Sequence, residues 1–380
     1  MRIISALMTL VVATAVSLVV AACSDTNAAS AASALDAKPV LAALTTNVFV
    51  PGLNDLETQA LALQSAVGDW DSVEPTEQRL MAAQDAWKSA RNAWRLIDAY
   101  RFGPVESLRI TAACDFSPTN TSSLETFLES TNPITAEAVE QLGANLRGFG
   151  AIEYLMFDNA GNPSMLAKFV GTSGARRRKY VQIASLLVHD KTAELKAAWG
   201  DGKGPGFARE VAEAGGASVT FPSAKSAIDQ IVNSAIFSAE LVTNTKIGKP
   251  AGKKTGGVPQ PADVESARSD NTIAELDLAL AGVMQVYEGS PSSGSTESRP
   301  GIAALVRAKN AALDVRVRAS FALARAKVLA IPKPFRTAIV DHPTDVEAAY
   351  QAVKAAKNVM STEVTSVLGT TLKFNDNDGD

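Results

Sequence analysis

EQRLMAAQDAWKSARNAWRLIDAY, residues 77–100, is the stretch whose reading decides the fold. Leu80, Ala83, Trp87, Ala90, Trp94 and Ile97 recur at steps of three and four, the period that lines one face of an α-helix. A seam this apolar must close against other helices, as in a helical bundle. Arg91 and Asp98 stand one turn past Trp87 and Trp94, at the seam's edge, where the polar lining of a buried site belongs. A solvated pair of charges at the same spacing would read identically.

The same period extends outward in both directions. Ala- and Leu-rich segments with few β-branched runs dominate, which makes the protein all-α. Helices are expected in two pieces over 39–67, broken near Pro51-Gly52, then over 123–129, from Pro133 through Leu142, over 175–199 and over 223–246. Another is capped at Ser269, with Asp270 in its first turn, and runs to Tyr287; two more cover 301–330 and 343–368. Gly200–Gly206 reads as a break between halves and Gly248–Pro261 as a flexible linker. The length calls for two helical-bundle halves, 36–205 and 206–380.

Arg2, the apolar run Ile3–Ala22 and the small residues before Cys23 read as a lipoprotein signal peptide over 1–22, with lipidation at Cys23 and a flexible tether over 23–35. An uncleaved anchor is the alternative, since the run is long enough to span a bilayer. Cys114 is then the one cysteine left, so neither a disulfide framework nor a cysteine zinc site is expected. A net charge of -4 without a long basic face gives no support to nucleic-acid binding. The cluster Arg176–Lys179 reads as a solvated helix start or a phosphate-facing patch. His189, among apolar residues, reads as a structural histidine.

In GFGAIEYLMF, residues 148–157, Glu153 is the only charged side chain. On a helix it shares a face with Leu146, Phe149 and Met156. A carboxylate withdrawn from water there requires an Arg, a hydroxyl, a water or a cation, and that requirement holds whether it serves packing or a site.

These segments resemble the imelysin-like family. Gly148 and Glu153 match the ends of its G-x-H-x-x-E motif, with Gly150 in place of the His. Ala86-Trp87, Arg91, Trp94, Asp98, Phe102 and Gly103-Pro104 are similar to a second family segment, and Glu265-Ser266 with Ser269 to a third of the form E-S-x-x-S. Leu368–Asp380 is similar to the ending of many members; its Asp-Asn-Asp-Gly suggests a cation site or a hydrogen-bonded plug, and the chain stops before an EF-hand could close.

The resemblance implies two halves of the up-and-down four-helix-bundle type with a cleft between them. There Ser266, Arg268 and Ser269 would face Glu153, with Arg268 or Arg91 as its charge partner, and Gly148, Gly150, Arg91 and Asp98 would complete the lining. It also implies an envelope lipoprotein linked to iron acquisition, on the outer membrane facing the periplasm. Such a protein would bind a ligand or a partner, among them envelope iron-uptake or heme-containing redox proteins. Iron or another divalent cation is the implied cofactor. Gly150 supplies no ligand, which weakens the alternative of a divergent metallopeptidase. A lipoprotein scaffold for protein contacts is the third reading.

Overall fold

The computed structural model of the chain describes residues 36–290 and 300–373. The expected leader over 1–22, the lipidation expected at Cys23, the expected tether over 23–35 and Phe374–Asp380 of the tail lie outside the described residues, within which every regular element is helical. None of these helices is long and apolar enough to cross a membrane.

Helix α1 (Lys38–Leu44) passes through a π turn (Thr45–Phe49) into α2 (Val50–Ala66). The break expected at Pro51-Gly52 does not occur. Proline lacks an N–H, and its ring crowds the carbonyl one turn back. The wider π turn takes up that mismatch, with the Val50 N–H donating five residues back to the Thr45 carbonyl.

Helix α3 (Glu77–Leu96) begins at Thr76, whose hydroxyl accepts from the Arg79 N–H at 3.4 Å, and tightens into a 3-10 turn over Ile97–Tyr100. All six seam residues are buried completely. Trp87 meets Phe149 and Phe157 edge-on, and α2 lies along α3. Among the further helices on this side, with shorter ones between them, are α4 (Thr121–Glu129), α5 (Gly148–Met156) and α6 (Gly171–Trp199), the last packed on both α2 and α5.

The second group starts with α7 (Ala224–Glu240), opened by reciprocal Ser223 and Ser226 bonds and continued by a π turn over Leu241–Gly248. Then come α8 (Thr272–Glu288), a helix over Ile302–Lys309, α9 (Ala311–Leu329), α10 (Phe335–Asp341) and α11 (Pro343–Asn358). The helix expected over 301–330 is divided at Asn310, whose extended backbone ends one segment while its side chain caps the next, accepting from the Leu313 N–H at 3.0 Å.

From Ala37 onward the chain is one compact unit, in which α8 packs against α9 on one side and α3 on the other. Gly282 makes the second contact possible, since a Cβ there would overlap the Leu96 carbonyl. Gly248–Pro261 is not a loose linker. Its turns are closed by backbone bonds from Lys253 to Gly248 at 2.9 Å, Gly257 to Gly252 at 2.9 Å and Gln260 to Pro250 at 2.7 Å. The described part of the tail is tied to α7, as the Asn233 amide spans Thr371 O and Lys373 N, both at 2.9 Å.

Candidate functional site

Glu153 sits in the middle of α5 with 8% of its surface exposed. All its hydrogen bonds fall on Oε1, which accepts from the Arg268 N–H at 3.0 Å, the Ser269 N–H at 2.8 Å and the Ser269 hydroxyl at 2.8 Å. The expected charge partner was the guanidinium of Arg268 or Arg91. The partner is instead the loop backbone. Left-handed residues at Ser266 (φ 52°) and Asp270 (φ 54°) wind 265–271 so that successive N–H groups converge on one oxygen, as in an anion nest. Burial pushes the carboxyl above the ordinary glutamate range, and Glu275 adds to that, while the Ser269 bonds and Arg91 oppose it. Ser269 is therefore not the helix cap that its sequence suggests; α8 begins three residues later, at Thr272.

Beneath Glu153 lies a buried ion cluster. Arg95, with no exposed surface, donates through Nε to Glu275 at 2.9 Å, through one terminal nitrogen to Asp115 at 2.8 Å and through the other to Glu265 at 2.8 Å. Arg91 donates to Glu275 at 3.0 Å and also pairs with Asp115 and Glu265. Lys246 reaches Glu265 at 2.7 Å, and Arg101 joins Asp98 at 3.2 Å and Asp115 at 3.3 Å.

Four cations (Arg91, Arg95, Arg101, Lys246) thus face four carboxylates (Asp98, Asp115, Glu265, Glu275). Burial alone would raise Glu265, but Lys246, Arg95 and Arg91 outweigh it and hold it at about 2, against the contrary push of Asp115. Asp115 is likewise held well below its ordinary range, because Arg91, Arg95, Lys246 and Arg101 outweigh its burial.

A cavity of about 520 Å³ opens above this cluster. Of the residues picked out in the sequence, Glu153, Gly150, Arg91, Ser266 and Arg268 line it. Ser269 is adjacent through its bonds to Glu153, and Gly148 and Asp98 do not line it. Gly148 instead adopts φ +73° at the start of α5, where a Cβ would overlap the Cys114 carbonyl. Asp98 is turned into the ion cluster, within 3.3 Å of Arg95. At Gly150 a Cβ would overlap Thr119 Oγ1, so the 116–119 loop closes over the position where a longer side chain would point.

Arg95, Asp115, Glu265, Glu275 and Lys246 were not singled out in the sequence as charge partners. Arg95 was the most legible, standing one turn after Arg91 on an otherwise apolar face. Asp115 had no signal beyond following Cys114, a buried thiol raised to about 12 by burial and by Asp115 itself.

The remaining candidates are structural. Arg176 donates to carbonyls at the end of α4 and beyond it, Leu128 at 2.8 Å and Asn132 at 2.9 Å, while Arg178 donates to the Trp70 carbonyl at 2.8 Å. Arg177 and Arg178 are buried, so the basic cluster is neither a solvated helix start nor a phosphate patch. His189 bridges helices, 3.4 Å from Glu57 on α2.

The cavity lies where α3 and α5 meet the 261–268 loop, the same segments on which the family resemblance was read. The Imelysin family model matches residues 49–360. The chain belongs to the imelysin family. This imelysin-family chain is 26% identical over 324 residues to iron-regulated protein A of Synechococcus elongatus, covering 83% of each. Its fold is similar to that of a crystal structure assigned as an iron-regulated protein A precursor from Parabacteroides distasonis (TM-score 0.75, 21% identity, 87% of this chain and 95% of the other). It is also similar to an imelysin-like protein from Psychrobacter arcticum 273-4 (TM-score 0.72, 15% identity, 89% and 97%).

The donor set does not fit a bare divalent cation. Among the described residues no three His, Cys, Asp or Glu side chains come together to hold a metal ion. Asp115 and Glu265, on the cavity wall, each already carry arginine partners, which would repel one.

Proposed function

We propose that this protein is a non-catalytic binding component of iron acquisition in the bacterial cell envelope, lipidated at Cys23 and held on the outer membrane facing the periplasm. The cavity above Glu153 would be its binding site. The observation that carries the reading is the convergence of α3, α5 and the 261–268 loop on one polar cavity, with Glu153 fixing the loop's shape through Oε1. A fixed carboxylate and a fixed loop suit recognition, because a pre-ordered site loses little freedom when it binds. The family and the iron-regulated relative support the link to iron, and the leader sequence supports the envelope. Envelope iron-uptake or heme-containing redox proteins are the partners this role suits.

A metallopeptidase would need ligands that the cavity wall does not bring together, and neither His189 nor His342 lines it. A scaffold without a ligand could use the Glu153 joint for stability, but it would have no use for the polar cavity above it. Growth of a deletion strain under iron limitation, compared with iron excess, separates these readings. Complementation by the wild-type gene and failure of Glu153→Gln only under limitation is the expected result. Full complementation by Glu153→Gln would defeat the proposal.

A further inference from the structure

Among the described residues, two cations on the cavity wall have no acidic partner within ion-pair distance. Arg268 stacks on Tyr154, its guanidinium carbon 4.7 Å from the ring centroid, and Arg336 projects from the first turn of α10. Both are half-buried, and among the described residues neither guanidinium takes part in an ion pair or a hydrogen bond. The acids beside them are committed elsewhere: Asp115 and Glu265 to the ion cluster, and Asp263 to Lys249 at 3.2 Å. Glu153 turns Oε1 to the loop N–H groups.

Among the described residues the wall therefore carries two guanidiniums without an ion-pair partner, amid hydroxyls of Ser117, Thr119, Thr121 and Ser266, with Glu153 the one wall carboxylate that no cation pairs. A half-desolvated guanidinium is best completed by a carboxylate or phosphate, whose paired oxygens match its fork of donors. The cation–π contact with Tyr154 restrains Arg268 without using its N–H groups for a hydrogen bond.

We infer that the cavity takes an anionic, oxygen-rich small molecule of the polycarboxylate class, gripped between Arg268 and Arg336. A cavity of about 520 Å³ is within the range used for small ligands. Iron would then enter as part of an anionic chelate, its coordination sphere supplied by the ligand rather than by the wall. This inference rests on the reading that the cavity is a binding site.

The test is calorimetric titration of the full-length chain in detergent with citrate, ferric citrate, inorganic phosphate and, anaerobically, ferrous ion alone. Citrate or its ferric chelate binds, and Arg268→Gln and Arg336→Gln each weaken that binding about tenfold or more, since each removes a charge-assisted bond. Both variants keep the wild-type circular dichroism and melting temperature, because neither arginine is part of the internal ion cluster. Phosphate binding with the same arginine dependence supports an oxyanion site and reassigns its source.

Failure of all three anions to bind overturns the inference, as does binding indifferent to both arginines or binding of ferrous ion alone. If the anions fail while iron-limited growth still depends on Glu153, the binding role stands and the ligand class falls. If they bind while growth ignores Glu153, the anion site stands and the role in iron acquisition falls.

Discussion

Glu153 and Ser269, 116 residues apart in the chain, are joined twice through one carboxylate oxygen, by the Ser269 N–H and by its hydroxyl, each at 2.8 Å. The joint ties α5 to the loop that precedes α8, and with the Arg268 N–H it satisfies three donors. Glu153→Ala leaves the two backbone N–H groups without an acceptor, while the Ser269 hydroxyl keeps the Ser266 carbonyl at 3.1 Å, and lowers stability by about 2–3 kcal/mol. Glu153→Gln keeps an oxygen in place and changes stability by less than about 1 kcal/mol. Urea denaturation checks both, and an alanine variant as stable as wild type would show that the joint contributes nothing.

Arg95 is the centre of the ion cluster, with four carboxylates in reach and no exposure. Removing one member of a buried, hydrogen-bonded charge group is costly because its partners stay buried and uncompensated. Arg95→Ala is therefore expected to destabilise the fold by about 3–5 kcal/mol. Arg79→Ala, which breaks a half-exposed pair with Asp69, should cost under about 1 kcal/mol. Equal melting temperatures for the two variants would contradict the ordering.

The cluster sets the acid limit of stability. Glu265 and Asp115 have folded-state values below their ordinary ones, so between about pH 4.5 and 2 the unfolded chain binds more protons and stability falls as pH falls. For Glu265 the contribution is on the order of 3 kcal/mol, present above about pH 4.5 and lost on titration to about pH 2. Glu153 has the opposite sign. Its folded-state value is raised, so its contribution falls as pH rises from the ordinary glutamate range through the folded value. Acid unfolding followed by circular dichroism should be flatter below about pH 4.5 in Glu265→Gln, and the loss above that range should be smaller in Glu153→Gln.

Gly150 and Thr119 form a steric pair. Alanine at 150 gains about 1 kcal/mol of helix propensity in α5 but overlaps Thr119 Oγ1. Overlap of this kind costs about 1–3 kcal/mol, so Gly150→Ala should be net destabilising. The double variant Gly150→Ala, Thr119→Ala should recover most of the loss. A double-mutant cycle with no coupling would show that the 116–119 loop yields freely.

Much of this architecture was legible in the chain. The period of Leu80 to Ile97 announced a buried seam, and all six residues are completely buried. The solitary charge in 148–157 announced a withdrawn carboxylate, and Glu153 is one. Helix continuity was harder to read. Pro51 looks like a stop in sequence, but a π turn before it carries the helix on, and Asn310 looks unremarkable but divides two helices.

What the sequence by itself determined is periodicity and isolation: which faces leave water, and which polar groups leave with them. The partners were decided only in three dimensions. Glu153 is met by two N–H groups and a hydroxyl because Ser266 and Asp270 turn left-handed, a backbone choice that neither residue type demands. Arg91 and Arg95 find Asp115, Glu265 and Glu275 because α3, α8 and two loops converge. Periodicity is a local property of a helix, whereas charge pairing depends on which distant segments the packing brings within about 4 Å.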